Sequence, residues 1–259
     1  MGDTKEFAKG YTVASGTQQN AGLFLIDKLK ISPGMHILDV GCGPGNLTSL
    51  LRDLVGEEGK VVGIDPSEER VALARELTTS NLEFFEARAE DLSRFPAASF
   101  DIVFVNSTLH WVQDQPKAMG EFARVLCSGG RVSISGGSGD FVSDQERIKE
   151  EVLSRDPYRA YPEQSPPKFL KKREMEQLLD QAGFGSREMV TNEIVKSARD
   201  GEEMIDWLDV SSSGKTYGGI PLELRSRARK EMKLEWDKIT TEKGIRMVLE
   251  LLVTVAVKK

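Results

Sequence analysis

The clearest hydrophobic pattern in the chain is a short apolar run at residues 37–40, followed at once by glycine-rich sequence. A run of this kind is typical of a parallel strand that is buried on both faces. Glycines then occupy alternate positions from Gly41 to Gly45, and residues 47–55 have the spacing of an amphipathic helix. The pattern predicts a strand, a glycine turn and a helix, which together let a ligand lie against backbone N–H groups.

The spacing of these glycines separates two classes of ligand. A dinucleotide-binding turn has the pattern G-x-G-x-x-G, in which the third glycine lets the helix pack closely. Asn46 stands at that third position, and Asp39, just before the glycines, would repel a pyrophosphate. Asp39 is instead placed to accept hydrogen bonds from a cationic or polar head group. Asp65 ends the next predicted strand, about where either class has its ribose-binding carboxylate.

Strand-like and helix-like segments alternate along the chain, which predicts an α/β fold with a largely parallel sheet. Helices are predicted at 21–29, 47–55, 69–77 and 118–126. The first five strands are predicted at 37–40, 60–64, 81–85, 99–105 and 131–135. Beyond residue 136 the pattern becomes irregular, with a helix within 169–182, two more within 200–240, and strands near 187–190 and at 247–257.

Composition narrows the classes of partner. The 259 residues are 39% hydrophobic and 29% charged, as in ordinary globular proteins. The balance of 35 basic and 41 acidic residues, a net charge of −6, does not favour a nucleic-acid partner. Two cysteines suit a reducing compartment, and no apolar stretch approaches the roughly 20 residues that span a membrane. The first residues also lack the apolar core of a signal peptide. We therefore expect a cytoplasmic protein with neither nucleic acid nor membrane as a partner.

The D-x-G-x-G-x-G sequence at residues 39–45 resembles the first motif of the class I S-adenosylmethionine-dependent methyltransferases. Behind it, in the order that this family has, come the acid at Asp65 and the F-D-x-V signature at residues 100–103. The resemblance implies a Rossmann-like, seven-stranded, mostly parallel sheet with helices on both faces and a helical cap over the carboxyl ends of the strands. It also implies S-adenosylmethionine as cofactor, S-adenosylhomocysteine as product, and no metal.

The L-H-W-V sequence at residues 109–112 resembles methyltransferases of the trans-aconitate and juvenile-hormone-acid type, which esterify small carboxylic acids. A small-molecule acceptor is therefore implied, with a carboxylate or hydroxyl oxygen as the expected target, although N-, C- and S-methylation stay open. His110 and Trp111 are the candidate catalytic residues. His110 would be the base for a neutral acceptor, or would orient a carboxylate together with Trp111, since a carboxylate needs no base.

The same resemblance assigns cofactor contacts. An N-terminal helix over the cofactor would bring Tyr11 and one of the glutamines Gln18 and Gln19, and the end of the fourth strand would contact the methionine part. The expected cofactor-binding residues are Tyr11, Gln18, Asp39, Gly41, Cys42, Gly43, Asn46, Asp65, Pro66, Ala89, Glu90, Asn106 and Ser107.

One loop departs from the family pattern. Where the family has G-D-A-x-x-L, with the aspartate on the adenine amino group, this chain has Arg88 in place of the aspartate. Backbone N–H groups near Ala89 and Glu90, or the carboxylate of Glu90 or Asp91, could replace it. A solvated charge cluster explains these residues almost as well.

We expect a single methyltransferase domain over residues 1–259. Its expected parts are an N-terminal helical cap (1–30), a cofactor-binding core (31–140), two cap insertions (141–168 and 200–240), and remaining core helix and strands (169–199 and 241–259). Segments 1–22, 140–168 and 200–240 should pack together as a lid. One or more of four aromatic residues of this lid should form an apolar wall facing His110 and Trp111: Tyr158, Tyr161, Trp207 and Tyr217.

Two glycine-containing runs suggest phosphate loops but lack the required strand-to-helix frame. We read residues 136–139 as a flexible hinge and the Gly-Lys-Thr triplet at 214–216 as an ordinary loop.

Two alternative functions stay open: a cofactor-binding protein that does not methylate, acting as another catalyst or a regulator, and a protein or RNA methyltransferase. The Asn-Pro-Pro-Tyr motif of enzymes that methylate nucleobases or glutamine is absent after the fourth strand. We expect a monomer or a homodimer.

Overall fold

The computed structural model describes residues 16–212 and 215–259, and these form one seven-stranded sheet with helices on both of its faces. The strands are β1 (His36–Val40), β2 (Lys60–Asp65), β3 (Leu82–Glu86), β4 (Phe100–Asn106), β5 (Leu126–Gly137), β6 (Phe184–Ala198) and β7 (Ile245–Lys258). The helices are α1 (Gly16–Leu29), α2 (Asn46–Val55), α3 (Glu68–Ala74), α4 (Gln115–Val125), α5 (Asp144–Leu153), α6 (Lys172–Gln181), α7 (Gly201–Ser211) and α8 (Leu222–Lys238).

The order of the strands creates a crevice at the carboxyl ends of the central strands. The order is β3-β2-β1-β4-β5-β7-β6, with β1 to β5 parallel and β7 antiparallel to both of its neighbours. The chain runs outward from β1 to β3 and then returns to place β4 on the other side of β1. In open α/β sheets a ligand binds beyond the carboxyl ends of the strands at such a reversal. The fold therefore points to the ends of β1 and β4.

Each face of the sheet is covered by its own apolar core. On one face, α4 and α6 pack on strand residues such as Leu38 and Val103. On the other, α1, α2 and α3 pack on residues such as Ile37 and Phe104. Burial on both faces explains why the first strands are nearly continuous apolar runs rather than alternating ones. The first four strands lie within one residue of their predicted positions, whereas β5 begins five residues before the predicted start and ends two residues after the predicted end.

A third buried cluster, which we call the cap core, is separate from the two sheet cores and joins segments that are predicted to form the lid. Its buried members are Ile148, Val152, Tyr158, Ala198, Met204, Ile205, Leu208, Tyr217, Ile220, Ala228, Met232, Trp236, Ile245 and Met247. The outer halves of β6 and β7 carry this cluster, because the two strands stay paired as far as Ala198 and Ile245. Both strands are longer than predicted, and β6 alternates polar and half-buried residues over 15 positions.

The predicted hinge at residues 136–139 is wrong in its first half. Gly136 and Gly137 continue β5 and pair with Leu252 and Leu251 of β7. A Cβ atom on Gly137 would lie 2.8 Å from the ring of Phe169. These glycines therefore serve close packing rather than flexibility. Among the described residues, no helix is long and apolar enough to cross a membrane.

Helix α1 offers a direct test of this packing. Leu25 is 0% exposed beneath the helix, whereas Leu23, two residues away, is 43% exposed. Leu25→Ala should lower the free energy of unfolding by about 2–5 kcal/mol, because it leaves a cavity against the sheet. Leu23→Ala should change it by less than about 1 kcal/mol. Chemical denaturation measures both values, and equal losses would contradict the placement of α1.

Candidate active site

A cavity of about 1000 Å³ opens beyond the ends of β1, β2 and β4 and extends to the cap core. The structure brings most of the residues predicted from the sequence to its wall. These are Gln18, Asp39, Gly41, Cys42, Gly43, Asn46, Asp65, Pro66, Asn106, Ser107, His110 and Trp111. Of the others, Tyr11 lies outside the described residues. Ala89 and Glu90 are not part of the cavity lining: Ala89 is buried in the sheet core, and Glu90 accepts a hydrogen bond from the backbone N–H of Gln113.

The glycine turn brings the backbone close to the cavity. Gly41 has a φ of +77°, and a Cβ atom there would lie 2.1 Å from the Thr108 hydroxyl oxygen. The turn is held against β2, since the N–H groups of Gly41 and Cys42 both donate to the Ile64 carbonyl. Only glycine satisfies both the positive φ and the close approach of Thr108. At Gly41 the backbone itself therefore forms part of the cavity wall.

Asp39 is a buried carboxyl group at the end of β1. It is 2% exposed, and the Thr48 hydroxyl donates a hydrogen bond to it at 2.7 Å. Burial raises the pKa of Asp39 to about 7; the nearby Asp65 carboxylate adds to this, and the Thr48 hydrogen bond opposes it. Ionised Asp39 is therefore costly in the protein alone, and a cationic ligand would stabilise it.

Asp65 is held in a fixed orientation at the end of β2. Its carboxylate accepts hydrogen bonds from the backbone N–H of Gly43 at 3.0 Å and from that of Ser67 at 2.9 Å. Ser67 also caps α3, whose first turn therefore begins at the cavity. These bonds place the carboxylate beside the glycine turn, facing the same space as Asp39.

Two buried oxygens at the cavity have no hydrogen-bond donor among the described residues. The side-chain amide of Asn106 donates to the Gln18 carbonyl at 2.9 Å and so ties α1 to the end of β4. The amide oxygens Oδ1 of Asn106 and Oε1 of Gln18 have no partner within the described part of the chain. Buried acceptors of this kind are costly unless a donor reaches them. A ligand with N–H groups would satisfy them.

His110 lies in a row of aromatic rings. Its ring stacks on Phe169, with centroids 4.7 Å apart, and the Trp111 centroid lies 4.9 Å away on a short helical turn, Leu109–Trp111. The His110 Nδ1 atom is buried and has no partner among the residues described. Burial lowers the pKa of His110 to about 3, and the positive charge of Lys215 adds to this effect. His110 is therefore neutral at neutral pH.

Phe169 was not predicted as a site residue. It reaches His110 because the 168–170 segment is fastened to the Leu109–Trp111 turn. The Lys168 N–H donates to the His110 carbonyl at 2.8 Å, and the Gln115 side chain donates to the carbonyls of both Leu109 and Lys168. No local pattern in the sequence marks Phe169, which seemed only to begin a core helix.

The cap supplies the far wall of the cavity. Tyr158, Tyr161 and Trp207 line it, as expected of the lid, whereas Tyr217 instead donates a hydrogen bond to Asp209. Lys215, from the triplet that we read as an ordinary loop, also lines the cavity. No group of three or more His, Cys, Asp or Glu residues within 16–212 and 215–259 is arranged to hold a metal ion.

The strand order and the acidic glycine turn at the end of β1 define a Rossmann-like α/β fold that binds a ligand at the topological switch point. A family model described as a methyltransferase domain matches residues 31–183. An uncharacterised methyltransferase of Schizosaccharomyces pombe is 31% identical over 211 residues, which are 77% of this chain and 79% of the relative. The chain belongs to this family and is an S-adenosylmethionine-dependent methyltransferase.

Two further similarities are more limited. The ubiquinone/menaquinone biosynthesis C-methyltransferase UbiE of Escherichia coli is 37% identical over 116 residues, or 43% of this chain and 46% of that enzyme. The match therefore spans about half of UbiE. The crystal structure of the YcgJ protein of Bacillus subtilis superposes with a TM-score of 0.66 over 93% of this chain and 99% of its own. At 18% identity this similarity shows the fold alone.

The raised pKa of Asp39 predicts a pH effect on stability. Between about pH 4 and pH 7, Asp39 holds its proton in the folded protein and loses it in the unfolded chain, so the free energy of unfolding falls as the pH rises. Asp39→Asn removes this contribution and should gain stability relative to the wild type between pH 5 and pH 8. The difference between the ordinary pKa of 3.8 and the folded-state pKa of about 7 corresponds to roughly 4 kcal/mol at most in the free energy of unfolding.

Chemical denaturation of the ligand-free wild type and Asp39→Asn at pH 5 and at pH 8 measures this difference in the free energy of unfolding. The control is Asp53→Asn, a change of an exposed carboxylate on α2. It should leave the pH dependence as it is. A wild-type slope that persists in Asp39→Asn would contradict the assignment of the proton to Asp39.

Proposed function

We propose that this protein transfers a methyl group from S-adenosylmethionine to a carboxylate or hydroxyl oxygen of a small molecule that binds beside His110 and Trp111. The observation that carries this proposal is the continuous cavity of about 1000 Å³ that joins the glycine turn to these two side chains. An in-line displacement requires both reactants in one space from which water is excluded. The cap lines this space with Trp207 and Trp236, which favours a small acceptor over a polymer.

The acidic end of the cavity suits the cofactor, which supplies a methyl group on a positively charged sulfur and carries an ammonium group. The unpartnered oxygens of Gln18 and Asn106 are suitable acceptors for that ammonium. The Asp39 carboxylate favours a nearby positive charge, and Asp65 is suited to the ribose hydroxyls. The glycine turn leaves room for the ligand against the backbone.

The aromatic end of the cavity favours a carboxylate acceptor over a hydroxyl. A carboxylate is ionised at neutral pH, so its oxygen forms the bond to the methyl carbon while the bond from carbon to sulfur breaks, and no proton moves. His110, with its pKa lowered to about 3, is a poor base at neutral pH. We assign it the role of orienting the acceptor together with Trp111.

We further propose that residues 1–259 act as one domain, as a monomer or homodimer in the cytoplasm, without nucleic acid or a membrane as a partner. The net charge of −6 supports the absence of a nucleic-acid partner. Both cysteines, Cys42 and Cys127, are free, which suits a reducing compartment. The proposed division into core and cap is supported by the separate cap core and by the two sheet cores.

Donor binding tests the acidic end. Titration calorimetry should detect S-adenosylmethionine and not NAD. Asp65→Asn should weaken binding of S-adenosylmethionine about tenfold or more, because hydrogen bonds to a charged acceptor are lost. Asp53→Asn is the matched control and should bind as the wild type does. Thermal unfolding confirms that both variants are folded. Binding by Asp65→Asn within twofold of the wild type would contradict the ribose assignment, and binding of NAD alone would contradict the function.

Substitution at the aromatic end should separate chemistry from donor binding. His110→Ala or Trp111→Ala should lower kcat/KM about 100-fold or more toward the best acid found in an activity screen, since the acceptor loses its alignment. The Kd for S-adenosylmethionine should stay within threefold. The control is His36→Ala, at the opposite end of β1, where the side chain is exposed. An equal loss of donor binding would place His110 and Trp111 in the cofactor pocket instead.

A further inference from the structure

Lys215 lies over the indole ring of Trp111 inside the cavity. Its Nζ atom is 4.2 Å from the ring centroid, and both residues belong to the cavity wall. The short helical turn Lys215–Tyr217 fixes its backbone, because the neighbouring Thr216 is buried and hydrogen-bonded to Ser212 at 2.9 Å. Lys215 is solvent-exposed overall, and the contact with the Trp111 ring places its ammonium group at the cavity wall near the proposed acceptor position.

The positive charge of Lys215 pairs with no carboxylate in the described ranges 16–212 and 215–259. Among the residues that the structure describes, no ion pair or hydrogen bond reaches its Nζ atom, which faces only the Trp111 ring. The nearby carboxylate of Glu163 binds Lys149 instead, at 2.8 Å. Lys149 also donates to the Lys215 carbonyl, at 3.2 Å. Lys149, Lys215 and Glu163 taken alone sum to one positive charge, and the same wall also includes Glu146, Glu150 and Arg159.

The surroundings of this ammonium favour an anionic ligand. Partial burial lowers the pKa of Lys215; Glu163 raises it, and the positive charges of Arg70 and Lys149 lower it further. The indole ring attracts the cation on one side. An anion entering the cavity would add a charge-assisted hydrogen bond to the same ammonium.

We propose that Lys215 is a specificity residue that binds a carboxylate of the methyl acceptor above the Trp111 ring. A single ammonium suits a carboxylate better than a phosphate dianion, which would require several donors. This inference rests on the proposed function and adds the charge of the acceptor to it. It also explains selectivity between substrate and product, because a methyl ester carries no charge for Lys215 to bind.

Two probes of equal length and different charge test the inference: octanoate and octanamide. Titration calorimetry uses the full chain saturated with S-adenosylhomocysteine. The wild type should bind octanoate at least tenfold more tightly than octanamide, because the amide oxygen carries no negative charge to pair with the Lys215 ammonium. Lys215→Met should weaken octanoate binding about tenfold and leave octanamide binding within threefold. Lys215→Arg, which keeps the charge, should retain the preference for octanoate.

The matched control is Lys196→Met. Lys196 also lies over a tryptophan ring, 5.4 Å from the centroid of Trp207, but it is not part of the cavity wall. Its substitution should leave both affinities unchanged. The comparison of octanoate with octanamide binding to the wild type tests the proposal even if Lys215→Met fails to fold. Equal binding of the two probes to the wild type, or no binding of octanoate, would overturn the role of Lys215. An equal loss of affinity for octanoate and octanamide in a folded Lys215→Met would also overturn it. Failure of the wild type to bind S-adenosylhomocysteine would instead overturn the proposed function.

Discussion

The carboxyl group of Asp39, buried at the end of β1, is the constraint on which the rest of the site depends. Parallel strands on both sides and the glycine turn above it exclude water, and the hydroxyl of Thr48 donates to it. Its ionisation is therefore disfavoured until a positive charge is bound. Folding and ligand binding are linked through this group, since a ligand that stabilises the charged form also stabilises the folded state.

The two ends of the cavity have opposite character. Asp39 and Asp65 lie beside the glycine turn, and Lys215 lies over the aromatic row at the other end. A cationic donor and an anionic acceptor would each meet the complementary charge, and the reaction between them would neutralise both. Neutral His110 fits this arrangement, because a base is unnecessary when the acceptor is already ionised.

Local patterns predicted the parallel half of the sheet and the glycine turn at the end of β1. Buried strands are continuous apolar runs, and the acidic glycine turn is contained within a few residues, so both are visible in the sequence. The lengths of the antiparallel pair β6 and β7 were underestimated, because the outer half of the pair is buried by the cap core rather than by the sheet cores. Phe169 and Lys215 could not be predicted as site residues, since tertiary packing brings them to His110 and Trp111 from segments about 60 and 100 residues away in sequence.

The most direct measurement is the fate of a labelled methyl group. The protein is incubated with methyl-labelled S-adenosylmethionine and a cell extract, which is then separated into small molecules, protein and RNA. A cavity lined by the cap, with the Lys215 ammonium beside the proposed acceptor position, predicts label in small molecules, in esters that release labelled methanol on mild alkaline hydrolysis. Label confined to protein or RNA, or binding of the donor without any transfer, would contradict methylation of a small carboxylic acid.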